Sequence, residues 1–168
     1  IRNTLRFLLA NRTDFNPEKD SIPTDDCLEI DRYMLALTVA LQENLTQSYQ
    51  HYEFHQAVHQ LHNFCSEDLG GFYLDILKDR LYTSATHGLP RRSAQTALYH
   101  IAHSLVRLFA LILSFTAEET WEHLTGDTEG SVLLQLWHVF PQQYDVSELQ
   151  QRWQSIRTLR AKVLKKLE

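Results

Sequence analysis

The stretch RRSAQTALYHIAHSLVRLFALI, residues 91–112, carries the most regular pattern in the chain. Its apolar positions Ala94, Leu98, Ile101, Leu105, Leu108 and Ile112 alternate steps of four and three, which turns one face of an α-helix toward a core along its whole length. Pro90 stands just ahead, where the first turn of a helix has no use for the missing N–H. A helix of this kind packs lengthwise against antiparallel neighbours, so the pattern predicts a helical bundle.

The flanking segments read the same way. Ile30, Met34, Leu37, Leu41, Leu45, Tyr49 and Tyr52 form a stripe that predicts a long helix over about 26–52. Phe54, Val58, Leu61, Cys65, Leu69, Phe72 and Ile76 form another, ending near Tyr82, with Gly70 and Gly71 in its middle as a kink or close-approach point, so that it is one bent helix or two. Thr116 and Glu119 have capping-box spacing, which predicts a shorter helix to about Leu124 that Gly126 and Gly130 end. Residues 131–137 are apolar without helical spacing and are expected to lie extended. Asp145 and Glu148 repeat the capping-box spacing ahead of a last helix through Leu149, Trp153, Ile156, Leu159 and Val163. Phe115, Trp121 and Trp137 are expected in the core. Residues 1–10 read as the tail of a helix whose start is missing, so the chain is expected to be excised from something larger. The expected architecture is an all-α antiparallel helical bundle over 1–141 with a short extended segment near 131–137, followed over 142–168 by a basic amphipathic helix that opens the next region.

Composition agrees. In 168 residues, 43% are hydrophobic and 22% charged, which excludes disorder and fibrous architectures, and 5 glycines with 4 prolines are too few for a turn-rich sandwich or barrel. The longest run without a polar residue, Leu108 to Leu113, is far short of the ~20 residues that span a bilayer, so no membrane partner is expected and the cytoplasm is the expected location. The net charge of −5 hides a bipolar distribution. Nine acids against Lys19 and Arg32 lie from Asp14 to Glu53, and five more with no base from Glu118 to Glu129. Bases gather in Arg2, Arg6 and Arg12, in Arg91, Arg92 and Arg107, and in a run from Arg152 to Lys166. One side of such a surface suits a polyanion; ordinary solvated helix faces have the same pattern.

Little in the chain suggests catalysis. Cys27 and Cys65 stand alone, without zinc-ligand spacing, and are expected reduced and packed as small hydrophobes. His51, His55, His59 and His62 have spacings of four, four and three, expected to line one helix face, but no Glu stands in metalloprotease order, which leaves a histidine-rich metal-binding bundle as a remote alternative. His100 and His103 read likewise. No nucleophile triad, phosphate loop or carboxylate pair has usable spacing.

Four runs, IRNTLRFLL (1–9), FYLDILKDRLY (72–82), RRSAQTALY (91–99) and LSFTAEETW (113–121), in this order and at these separations, resemble the anticodon-binding helical domain of bacterial-type isoleucyl-tRNA synthetases. The resemblance runs from residue 1 to about Pro141; the last helix is similar only in pattern. Leu111 stands where the family usually has proline, and Gly70-Gly71 where larger or more polar residues are common. The family implies a parent ligase that joins isoleucine to its tRNA with ATP, monomeric, using ATP, Mg and Zn outside this segment, while the segment itself takes no cofactor and does no chemistry. The His-x-Gly-His, Lys-Met-Ser-Lys-Ser and zinc-ligating cysteine motifs of such ligases are absent here. The partner implied is the anticodon stem-loop of an isoleucine tRNA, and not DNA. The same domain of a valyl or leucyl-type synthetase, or a bundle that only braces the catalytic core, uses similar residues.

An unpaired RNA loop is gripped by planar donors, stacking rings and cations. The resemblance points first to Arg2, Asn3 and Arg6, with Asn3 suited to base edges and the arginines to forked or stacked contacts. Lys78, Arg80 and Tyr82 come second, since they end a helix with two cations and a ring. Arg91 and Arg92 come third, facing phosphate. Against these readings stand internal roles: Asn3 as an interhelical bond, Arg6 in a salt bridge, and Asp75 and Asp79 as partners for Lys78 and Arg80.

Overall fold

Pro90 occupies the first turn of α6 (Leu89–Ala110), which runs through the centre of the computed structural model with most of its side chains buried. Residues 1–143 and 146–167 are described. Around α6 pack α1 (Arg2–Ala10), the short α2 (Pro17–Asp20), α3 (Glu29–Gln50), α5 (Leu74–Thr83) and α7 (Ser114–Thr125), while α4 (Phe54–Asn63) and α8 (Val146–Leu167) lie against α3. The result is an all-α bundle, with no strand among the described residues. Its core is leucine-rich, with Leu8, Leu45, Leu69, Leu77, Leu98, Leu105 and Leu108 fully buried. Each contributes about 1.5–3 kcal/mol by leaving water.

Buried polar groups on α6 fix the polar connection from α1 to α3. Ser93 Oγ accepts from the Leu28 N–H at 2.8 Å, Thr96 Oγ1 from the Ile22 N–H at 3.2 Å, and Gln95 Nε2 donates to the Asn11 carbonyl at 3.1 Å. A loop holding two prolines therefore follows one path.

Phe54 to Thr83 is one continuous helical run. Its middle, Phe64–Tyr73, is wound as a π-helix between α4 and α5, a local form that buries Phe64, Cys65, Leu69, Phe72 and Tyr73 together. A Cβ on Gly70 would sit 3.1 Å from the Cys65 carbonyl oxygen, which explains a glycine there. Cys27 and Cys65 are buried free thiols, and burial pushes each up to about 11.

Three expectations need correction. The Thr116–Glu119 capping box does not form, because α7 starts earlier: the chain leaves α6 with Leu113 N–H bonded to the Phe109 carbonyl (2.7 Å) and the Ala117 N–H bonds back to Leu113 (2.9 Å), which leaves Thr116 inside the helix. Phe115 is 94% exposed. The buried stripe of α7 is Ala117, Thr120 and Trp121, and at 100° per residue Phe115 falls on the opposite side. The segment 131–137 begins as a 3-10 turn, Val132–Leu134, tied to Glu118 by Ser131 Oγ and by the Val132 N–H at 3.1 Å, and only its second half is irregular extended chain. The last helix runs through the expected residues: Leu149 and Trp153 dock α8 on α3, with Trp153 stacked on Tyr33 (centroids 5.6 Å), while Ile156, Leu159 and Val163 are exposed. Gly126 ends α7 as expected, at φ 74°, a left-handed position that glycine takes at little cost. Asp145, the expected cap of α8, lies outside the described residues.

Candidate nucleic-acid interface

Leu5 and Leu8 bury one face of α1, and the helix period then carries Arg2, Asn3 and Arg6 to the face turned to water. Arg2 reaches Glu119 of α7 at 3.5 Å, with both side chains more than half exposed; such a pair contributes ~0–1 kcal/mol and yields easily to a better acceptor. Among the described residues, the side chains of Asn3 and Arg6 have neither a hydrogen bond nor an ion pair. Their donors are open, so the internal roles weighed for them are not found.

The groove between α1 and α7, about 230 Å³, is bordered by Arg2, Arg6, Thr116, Glu119 and His123. Leu9 and His123 also border a second groove of about 460 Å³, where Arg12 and Tyr99 meet. The Arg12 guanidinium lies over the Tyr99 ring, 4.8 Å from its centroid.

The other expected residues divide. Lys78 is exposed with a loose contact to Asp75 (3.4 Å), and Tyr82 is 71% exposed. Arg80, Arg91 and Arg92 are instead bonded into the protein. Arg80 donates to the fully buried Asp31 at 2.5 Å, and Asp31 also accepts from Tyr73 Oη at 2.7 Å and from Ser93 Oγ. Arg91 grips Asp14 through Nη2 (3.0 Å) and Nε (3.2 Å) and donates to the Leu81 carbonyl. Its hydrogen bond holds the Asp14 carboxyl below its ordinary range. Arg92, 6% exposed, donates to the Asp14 carbonyl (2.9 Å) and to Gln95 Oε1 (2.8 Å) and is ion-paired with Asp20 (3.3 Å). These three tie the start of α6 to α3, α5 and the 11–20 loop. Their partners come from the acid-rich stretch Asp14 to Glu53, and for Arg80 the partner is Asp31 and not the nearby Asp75 or Asp79.

The histidines also differ from expectation. His51 closes α3 and the chain reverses at Tyr52 (φ 59°), so only His55, His59 and His62 share α4, all exposed. No three His, Cys, Asp or Glu side chains gather in a way that could hold a metal among the described residues. His100 and His103 are packed inside with His138 from the extended tail: His100 Nδ1 lies 2.9 Å from His138 Nε2, and the His103 and His138 rings stack at 5.6 Å. Burial first, then neighbouring cations, pushes His100 down to about 4 and His103 to about 3; burial, then His100, pushes His138 to about 3. His138 is 38 residues from His100, and no local signal joins the two. Arg12 and its place over Tyr99 were equally invisible to spacing arguments.

Three comparisons bear on these features. Isoleucine–tRNA ligases of Nitrosomonas europaea, Thiobacillus denitrificans and Dechloromonas aromatica are 64%, 58% and 56% identical over this whole chain, which spans 18% of the length of each. A family model described as the anticodon-binding domain of tRNA ligase matches residues 31–167. With an all-α bundle and an open basic face on its first helix, the chain belongs to the family of anticodon-binding domains of tRNA ligases.

Proposed function

We propose that this chain binds the anticodon stem-loop of isoleucine tRNA as one part of an ATP-dependent isoleucine–tRNA ligase acting in the cytoplasm. Family membership supports tRNA as the partner, and the names of the relatives favour isoleucine over valine or leucine. The observation that carries the reading is the α1 face, where, among the described residues, Asn3 and Arg6 present donors with no hydrogen bond or ion pair and Arg2 has only its loose pair with Glu119. Arg2 and Arg6, four residues apart on a rigid helix, supply cations for phosphate, and Asn3 beside them supplies an amide for a base edge. Lys78 and Tyr82, exposed at the end of α5, form a second cation-and-ring pair. Aminoacylation itself, with its ATP, Mg and Zn, belongs to the remainder of the ligase.

Fluorescence anisotropy with a labelled isoleucine anticodon stem-loop tests this. The expected result is weak binding that falls as salt rises and weakens further when the anticodon bases are changed. Equal affinity for a fully paired RNA hairpin overturns it.

A bracing role is also favoured by one observation: Leu111, Leu113 and Phe115 at the α6–α7 junction are exposed apolar side chains, a surface suited to another part of a ligase. Nuclease footprinting on the whole ligase separates the readings, since anticodon protection must map to α1 in the first case.

A further inference from the structure

Leaving out Arg32, seven arginines of this chain are buried or only partly open to water, and five of them are matched by a carboxylate, among them Arg160 by Asp75 at 4.0 Å. Arg80 has Asp31, Arg91 has Asp14, Arg92 has Asp20, and Arg157 has Asp68 at 2.6 Å. Arg107 lacks one but donates to the His103 carbonyl at 2.6 Å. Arg12 is the exception. Among the described residues its side chain has no ion pair and no hydrogen bond, its Nε is buried without a partner, and its guanidinium lies over the Tyr99 ring. A half-buried cation with no counter-charge is costly to keep, and such an arrangement marks a group waiting for an acceptor that arrives from outside.

The surroundings indicate which acceptor. The groove that Arg12 lines, about 460 Å³, lies in the range of small-molecule sites and is bordered by Phe15, Tyr99, His103 and His123, with no carboxylate. It shares Leu9 and His123 as bordering residues with the groove that holds Arg2 and Arg6. A flat donor laid on a ring, among further rings and at the end of a row of exposed arginines, suits a planar group attached to a phosphate chain.

We propose that the Arg12 groove takes one unstacked nucleotide of the RNA loop whose phosphates meet Arg2 and Arg6. The guanidinium of Arg12 contacts the base or its phosphate, and Tyr99 is a positioning residue that holds the guanidinium flat. The assignment rests on the RNA-binding reading above and adds to it a specific pocket for one nucleotide.

The test uses the 168-residue chain and a stem-loop RNA carrying 2-aminopurine at each loop position in turn. The unaltered chain is expected to change the emission of one loop position on binding. Arg12→Gln is expected to abolish that change and weaken binding roughly tenfold, the scale of losing one stacked base. Tyr99→Leu should behave like Arg12→Gln, while Tyr99→Phe, which keeps the ring, restores both signals. Thermal unfolding of Arg12→Gln should match or exceed that of the unaltered chain, because no internal bond is lost. The site is overturned if RNA binding persists while Arg12→Gln and Tyr99→Leu leave affinity and emission unchanged, or if Arg12→Gln lowers only the unfolding temperature. No RNA binding by the unaltered chain overturns the RNA-binding reading and this site together.

Discussion

The start of α6 and the outer face of α1 are both arginine-rich, yet the two regions do opposite things. At α6, Arg91 and Arg92 meet Asp14, Asp20 and Gln95, and nearby Arg80 meets Asp31, so each guanidinium is bonded inside the fold. Among the described residues, on α1 Arg2 has one loose partner and Arg6 has none, and in the turn just after it Arg12 has only a ring. The residue type is the same and the difference lies in where the chain brings its acids. A guanidinium becomes structural when a carboxylate reaches it in a dry place; left unmatched, it is available to a polyanion.

The comparison predicts that damage at α6 is seen in stability and damage at α1 in binding. The largest effect is expected for Asp31→Ala, which leaves Arg80, Tyr73 and Ser93 without their shared acceptor. Loss of a buried partner of this kind costs about 3–5 kcal/mol, measurable by urea unfolding. Arg92→Ala is next, at about 2–3 kcal/mol, because the Asp14 carbonyl, Gln95 and Asp20 lose their common donor. Folded protein of either variant should keep the RNA affinity of the parent, and a variant that kept its stability but lost affinity would break the division between the regions.

A third effect sharpens it through pH. In the unfolded chain His100, His103 and His138 protonate near 6.5, but the folded protein holds them down to about 4, 3 and 3. The unfolded state therefore binds more protons below 6.5, so stability is intact above that pH and declines as pH falls from there toward 4. Urea midpoints between pH 7 and pH 5 should decline, and His138→Phe should make the decline shallower. The smallest effect is expected for Lys78→Ala, whose exposed pair with Asp75 should contribute within ~0.5 kcal/mol, while the slope of RNA affinity against salt falls by about one.

Much of the fold was legible because helix patterns are local. The four-and-three spacing from Ala94 to Ile112, Pro90 at its start and Gly126 at the end of α7 all lie within a turn or two of what they determine. Phe115 was misread because an apolar residue in a helix says nothing about whether another element covers it. The signal existed, since Ala117, Thr120 and Trp121 define a stripe that excludes it. The site split along the same line. Exposure of Arg2, Asn3 and Arg6 follows from the period of α1, whereas the pairing of Arg91 with Asp14 spans 77 residues and is created only by the fold.

The most direct measurement is binding of the isoleucine anticodon stem-loop, titrated across salt concentrations, by the chain carrying Arg2→Ala and Arg6→Ala together. The account predicts weaker binding and a plot of log affinity against log salt shallower by about two, with an unchanged unfolding midpoint. The unaltered chain's affinity and slope, retained in a folded double variant, would contradict it.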